Sequence, residues 1–396
     1  MNGPLEGVRV VDLSAVLSGP AATRLLADQG ADVIKVESLA GDIVRLMGPG
    51  IDGLTSAFLS ANRGKRSLAV DLKSDSGREI VRRLCKTADV FVQNFRPGAI
   101  ERMGFGYDVV STIKPDVIYV SISGFGERGP YSHKRVYDPV IQALSGLADI
   151  QGDAEEGRPR MVRTVIPDKT TALTAAQAVC AALFARERTG KGQHIRLAML
   201  DVMIAYLWPE GMNGLTLVGA EANVRTGQLS QDLIFKTTDG YITTGAVSDS
   251  EWEGMCRALE RPEWREDKRF NSAGARVKYA KERIAAMAEV LTTRSSAEWL
   301  KRLDENSVPC APVLTRPQVI EQEQIKVNEM LYEYDHPGLG RVRQPRGAAR
   351  FSGYPPLTDA KAPKLGQHSA EVLAQVGYSD DEIRMFAEQG VVGGLA

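Results

Sequence analysis

Short runs of Val, Ile and Leu recur between amphipathic stretches through the first half of the chain, and their spacing predicts strands alternating with helices. Val8 to Leu13 predicts a strand. Pro20 opens a helix through Leu25, Leu26 and Ala27, and Gly30 closes it. Asp32 to Glu37 is the next strand. A helix over about 75–87 leads to a strand at Val90 to Phe95, and a further strand at Val117 to Ile122 ends in the turn Ser123-Gly124-Phe125-Gly126. A long helix over 168–186 places Ala172, Ala175, Ala176, Val179, Ala182 and Leu183 on one face. Gly190-Lys191-Gly192 stops it, and His194 to Leu200 predicts another strand. This alternation implies an α/β fold: a Rossmann-like large domain whose parallel sheet is covered on both faces.

From about residue 225 the pattern changes. Leu233 to Thr237 and Tyr241 to Thr244 flank a Thr238-Asp239-Gly240 turn, which predicts a hairpin, and helical stretches carrying Trp252, Trp264 and Trp299 follow. Beyond these the chain passes through turns rich in Pro and Gly to a helical run at Ser369 to Gln375. The expected organisation is a large domain over 1–224, a smaller α+β domain over 225–330, and a segment 331–396 that returns to the large domain. A length of 396 residues fits two domains better than one core.

Composition narrows the function. A net charge of -1 argues against a duplex nucleic-acid partner, which needs a basic excess. Cys85, Cys180, Cys256 and Cys310 are too scattered for a disulfide framework or a zinc site. The N-terminus lacks the charged and apolar regions of a secretory signal, and the stretch Thr170 to Ala185 is too short to span a bilayer. A cytoplasmic protein is expected.

Motifs remove several chemistries. The loop Ser14-Ala15-Val16-Leu17-Ser18-Gly19-Pro20 lacks the paired glycines that bring backbone up to a dinucleotide pyrophosphate. Gly64-Lys65 lacks the remainder of a P-loop, and neither a nucleophile elbow nor a zinc-hydrolase helix motif occurs. His133, His194, His336 and His368 are dispersed, so carboxylates, tyrosines and basic residues remain as candidates, with no metal. Asp168, in Pro167-Asp168-Lys169-Thr170-Thr171, stands at the start of the long helix. It can be a helix cap that accepts backbone N–H bonds. The same location keeps a carboxylate anionic and lets it attack an activated acyl carbon. Pattern alone leaves both readings open.

Seven segments in order resemble the family III coenzyme A transferases, the group of formyl-CoA transferase and its carnitine-pathway relatives. They are Pro4 to Leu13, Gly30 to Glu37, Asn62 to Ser67, Asn94 to Gly98, Tyr137-Asp138-Pro139, Thr189 to Gln193 and Leu365 to His368. The resemblance implies an enzyme with Asp168 as nucleophile, passing through a mixed anhydride and an aspartyl-CoA thioester. It implies no cofactor beyond coenzyme A as substrate, with an acyl-CoA and a small carboxylic acid as partners. It further implies contacts to CoA from Val16, Val70, Lys73, Asn94, Phe95, Arg102, Met103, Arg135 and Met199, and an interlocked homodimer. Ser38 stands where the formyl-CoA branch has a basic residue, which makes Arg45 or another nearby residue a candidate replacement at the adenine end.

The superfamily also contains 2-methylacyl-CoA racemases, in which a His-Asp pair supplies acid/base groups. Here Tyr137-Asp138 takes that place, and a phenol with an ordinary pKa of about 10 is a poor neutral base. Tyr137 is therefore expected to order the site by hydrogen bonding or to be a half-buried aromatic. A non-catalytic CoA-binding protein is a further alternative. Thr243 to Ser250 lacks the glycine run of the formyl-CoA branch, which disfavours oxalate and points to succinyl-CoA with another small acid.

Overall fold

The computed structural model describes residues 3–152, 157–221 and 232–395. The chain divides into two compact units, 1–208 with 329–396, and 209–328. The boundary expected near 225 lies outside the described residues, and the second unit starts sixteen residues ahead of it, at Pro209.

A seven-stranded sheet organises the first unit. Its order is Val392–Gly393, Lys65–Val70, Asp32–Glu37, Arg9–Asp12, Val90–Gln93, Ile118–Ser123 and Gln193–Ala198. All neighbours pair in parallel except Val392–Gly393, which runs antiparallel to Lys65–Val70 at the edge. Buried on both faces, the central strands carry near-continuous apolar side chains: Val10, Val11, Ile34, Phe91, Ile118 and Val120 are fully enclosed.

Helices between the strands bury their apolar stripes on this sheet. Asp75–Cys85 starts at a Ser74 cap, whose hydroxyl accepts from the Gly77 N–H, and inserts Ile80, Val81, Leu84 and Cys85 into the main core. Each such buried aliphatic side chain contributes about 1.5–3 kcal/mol. The C-terminal helices Ser369–Gln375 and Asp380–Glu388 add Val372, Leu373, Ile383 and Phe386 to the same core. Sequence pattern missed the strand at Lys65–Val70, because its first residues are Lys, Arg and Ser. It also extended the last parallel strand to Leu200, whereas the strand ends at Ala198 and a helix runs over Met199–Leu207.

The second unit has a three-stranded antiparallel sheet, with Tyr241–Thr244 between Ile234–Lys236 and Cys310–Pro312. Trp252 stacks on Trp264 at 6.0 Å, and together with Trp299 they fill its core. The segment after Thr244 carries a capping box, Ser248 with Glu251, that starts the helix Asp249–Ala258.

Candidate active site

In a parallel sheet the loops leaving the carboxyl ends of the strands share one edge, and ligands bind there. Helices returning from that edge have their N-termini on it. Two are central: Ser18–Ala27, which follows the strand Arg9–Asp12, and Ile166–Thr189, which precedes Gln193–Ala198. The two helices pack together, and small buried residues, Ala21 and Ala22 on one and Ala172, Ala175 and Ala176 on the other, permit close approach. Gly19 is required at the start of the first: a Cβ there would lie 2.3 Å from Ser14 Cβ.

Asp168 lies in the first turn of the long helix, which begins at Ile166 with Val165 as the N-cap residue. It is therefore not the residue that caps the helix. The Asp168 backbone N–H donates to Asp138 Oδ2 at 3.2 Å, so another buried carboxylate takes the capping role. Gln142 Nε2 donates to Asp138 Oδ1 at 2.6 Å and holds that carboxylate in place. The Asp168 carboxyl is left facing Ser18 at the start of the neighbouring helix, within reach of both its hydroxyl and its backbone N–H. Burial pushes the Asp168 carboxyl up to about 6; the Asp138 charge adds to the rise, and Ser18 opposes it. A carboxylate so placed is ionised at neutral pH yet poorly solvated.

Beneath the edge sits a cluster of buried charges. Lys65 Nζ contacts Asp12 Oδ2 at 3.0 Å, and Lys35 Nζ contacts Asp42 Oδ2 at 3.0 Å. Burial alone would raise the Asp12 carboxyl, but Lys65 and Lys35 hold it down at about 2. Above the cluster Val16 has φ of 69°. A β-branched residue in this left-handed region is strained by roughly 1–3 kcal/mol, and such strain gathers at functional sites.

Comparison with known proteins agrees with this geometry. The model of the CoA-transferase family III matches residues 5–369. The chain belongs to the family III CoA-transferases. It is similar to the succinyl-CoA:glutarate CoA-transferase of Mus musculus, 37% identical over 98% of this chain and 90% of the relative. The succinyl-CoA:mesaconate CoA-transferase of Haloarcula marismortui is also 37% identical, over 95% of this chain and 97% of the relative. Among solved structures, a CAIB/BAIF family protein from Brucella suis superimposes with a TM-score of 0.83 at 34% identity, covering 95% of this chain and all of that one (100%). The chain is thus an enzyme that transfers coenzyme A between an acyl-CoA and a carboxylic acid.

In this transferase most residues expected to contact CoA leave the carboxyl edge of the sheet. Val16 follows Arg9–Asp12, Val70 ends Lys65–Val70 with Lys73 three residues on, and Asn94 and Phe95 follow Val90–Gln93. Arg102 and Met103 continue that last connection, Arg135 belongs to the loop after Ile118–Ser123, and Met199 directly follows Gln193–Ala198. Lys73, Arg102 and Arg135 are exposed, while Val70 and Met199 are buried. The Asn94 side chain is occupied at both ends: Nδ2 donates to Ala15 O at 2.7 Å, and Oδ1 accepts from the Ala15 N–H at 2.9 Å.

Two expectations are corrected. Tyr137 is 67% exposed rather than half-buried. Arg45 is not available to an adenine: it is buried, its Nη2 lies 2.7 Å from Glu37 Oε2, and its guanidinium covers the Phe58 ring at 3.7 Å.

Sequence reasoning also passed over His194. The Phe95 N–H donates to Gln93 Oε1 at 2.8 Å, and Gln93 Nε2 donates to Ser121 Oγ at 2.9 Å. The Ser121 hydroxyl also lies 2.8 Å from His194 Nε2 and links the imidazole to this chain of contacts. Burial, with Arg196 nearby, lowers His194 to about 4, so it stays neutral. The network fixes the Phe95 peptide at the edge. Among the described residues, no group of His, Cys, Asp and Glu could hold a metal ion, and no helix is long and apolar enough to cross a membrane.

Proposed function

We propose that the chain transfers coenzyme A from succinyl-CoA, or a similar donor, to a small dicarboxylic acid, with Asp168 as the covalent nucleophile. The supporting observation is the Asp168 carboxyl itself, poised between Ser18 and Asp138 with its ionisation raised to about 6. The substrate class follows from the succinyl-CoA:glutarate and succinyl-CoA:mesaconate relatives.

The reaction exchanges one acyl bond at a time. Asp168 attacks the donor thioester carbonyl, the C–S bond breaks, and a mixed anhydride and CoA thiolate form. The thiolate attacks the aspartyl carbonyl and expels the donor acid as its carboxylate, leaving an aspartyl-CoA thioester. The acceptor carboxylate attacks that thioester and releases the thiolate. The thiolate then attacks the acceptor acyl carbon and regenerates Asp168. Every attacking and leaving group is an anion, so no net proton is transferred. The Ser18 N–H at the start of the neighbouring helix is placed to stabilise the oxyanions, and water must be excluded because hydrolysis of each intermediate is downhill.

Val16, Phe95 and Met103 would line the pantetheine and adenine path, with the buried Val70 and Met199 packed behind them, and Lys73, Arg102 and Arg135 would meet the phosphates. The working form is an interlocked homodimer, for which the exposed Leu173 and Phe184 of the long helix offer apolar surface to a second copy. All four cysteines are free thiols, which fits a reducing cytoplasm.

Racemisation, the alternative chemistry on this framework, is disfavoured by Asp138. Both its oxygens are bonded, to Gln142 and to the Asp168 amide, and the exposed Tyr137 beside it offers no base. Hydroxylamine trapping separates transferase from a mere binder: acyl-CoA should label Asp168 and Asp168→Ala should remain blank. Deuterium entering the α-carbon of a 2-methylacyl-CoA without an acceptor would instead favour the racemase.

A further inference from the structure

Five consecutive backbone groups in the loop before Ser18 are bonded to side chains rather than to backbone. The Ser14 N–H donates to Asp12 Oδ1 at 2.9 Å, and Ser14 O accepts from Lys35 Nζ at 2.9 Å. Asn94 takes both the N–H and the carbonyl of Ala15. The Val16 N–H points between the two Asp42 oxygens, 3.2 Å from each. The next residues are Leu17 and then Ser18, which faces Asp168.

The bonding of Lys35 and Asp42 is directed at this loop. Lys35 is fully enclosed, and among the described residues its ammonium donates to Ser14 O and Asp42 Oδ2. Besides Lys35 and Val16, Asp42 accepts from the Val44 N–H at 3.1 Å. A buried ion pair is a weak source of stability compared with apolar side chains of the same volume, so its presence in a central strand calls for another reason. Val16 supplies one. A valine does not keep a φ of 69° unless its surroundings impose it.

We propose that the Lys35–Asp42 pair is a positioning device for acyl transfer, holding Val16 in the left-handed conformation so that the loop presents Ser18 to Asp168 and Val16 to coenzyme A. The proposal rests on the reading of Asp168 as nucleophile. Lys35 and Asp42 touch no substrate in it. They act through the loop, and their removal lets Val16 relax toward ordinary β geometry and carries Ser18 off the nucleophile.

A double-mutant cycle tests this, because glycine adopts a positive φ without restraint. Transfer rates and urea midpoints are measured for the wild type, Asp42→Asn, Val16→Gly and the double variant. In the valine background Asp42→Asn should lower kcat/KM about 10- to 100-fold; in the glycine background it should lower it less than about threefold. A purely structural Asp42 would give equal losses in both backgrounds, and that result overturns the proposal. If Asp42→Asn does not fold, Lys35→Met in the same two backgrounds makes the same comparison. Asp168→Ala, run in parallel, distinguishes the two claims. Retained transfer by Asp168→Ala refutes the nucleophile and with it a catalytic role for the clamp. Loss of transfer there with equal losses in the cycle refutes the clamp alone.

Discussion

Replacing Asp168 with Asn should make the protein more stable while abolishing transfer. The folded carboxyl is raised from 3.8 to about 6 by burial and by the Asp138 charge, so folding disfavours its ionised form. One pKa unit corresponds to about 1.4 kcal/mol, which makes the penalty about 3 kcal/mol before solvent screening and roughly 1–3 kcal/mol after it. Because the folded pKa exceeds the unfolded one, the folded state binds the proton more tightly. The penalty is absent below the ordinary value of 3.8, grows as pH rises from there to about 6, and is complete above that. Asn keeps the shape and an acceptor for Ser18 but never ionises. Urea unfolding at pH 7.5 should place Asp168→Asn roughly 1–3 kcal/mol above the wild type, and at pH 4 the two should converge. Equal stability at pH 7.5, or the same difference at both pH values, would refute the electrostatic account of the site.

Further outcomes follow from the same structure. The rate of acyl-enzyme formation should rise with pH along a single ionisation at about 6, and Asp138→Asn should move that limb to lower pH by removing the like charge. Lys73→Ala combined with Arg102→Ala should raise KM for the acyl-CoA several-fold with little change in urea midpoint, since both side chains are exposed. Arg45→Met should destabilise the fold by about 3–5 kcal/mol by removing the guanidinium that pairs with the buried Glu37, and this loss would be visible in the urea midpoint without any substrate.

Much of the framework was legible because hydrophobic periodicity is strong in a parallel sheet. Asp32–Glu37 and Ser369–Gln375 begin and end where the pattern puts them. Asp168 was legible as a carboxylate at a helix start, yet its relation to the helix was not. Pro167 can occupy an early helical position, so the helix starts two residues ahead of Asp168, at Ile166, and the capping oxygen comes from Asp138, thirty residues away. The ionic cluster was hidden for a similar reason: Lys35 meets Asp42 and Lys65 meets Asp12 only after the sheet assembles. One signal was available. Lys35 and Glu37 lie in a strand that reads as central, and a charge there has to be paired inside the protein. Arg45 was misread as a candidate for the adenine end because nothing local reveals that Glu37 and the Phe58 ring enclose it. The left-handed Val16 was illegible too, since β-branched residues rarely adopt that geometry and the Asp42 carboxylate that meets its N–H lies far along the chain.

Mass spectrometry of the protein incubated with succinyl-CoA and then hydroxylamine tests the central claim most directly. The account predicts a hydroxamate on the peptide containing Asp168, formed with the wild type and absent from Asp168→Ala. Turnover of succinyl-CoA with a dicarboxylic acid while that peptide remains unmodified would contradict it.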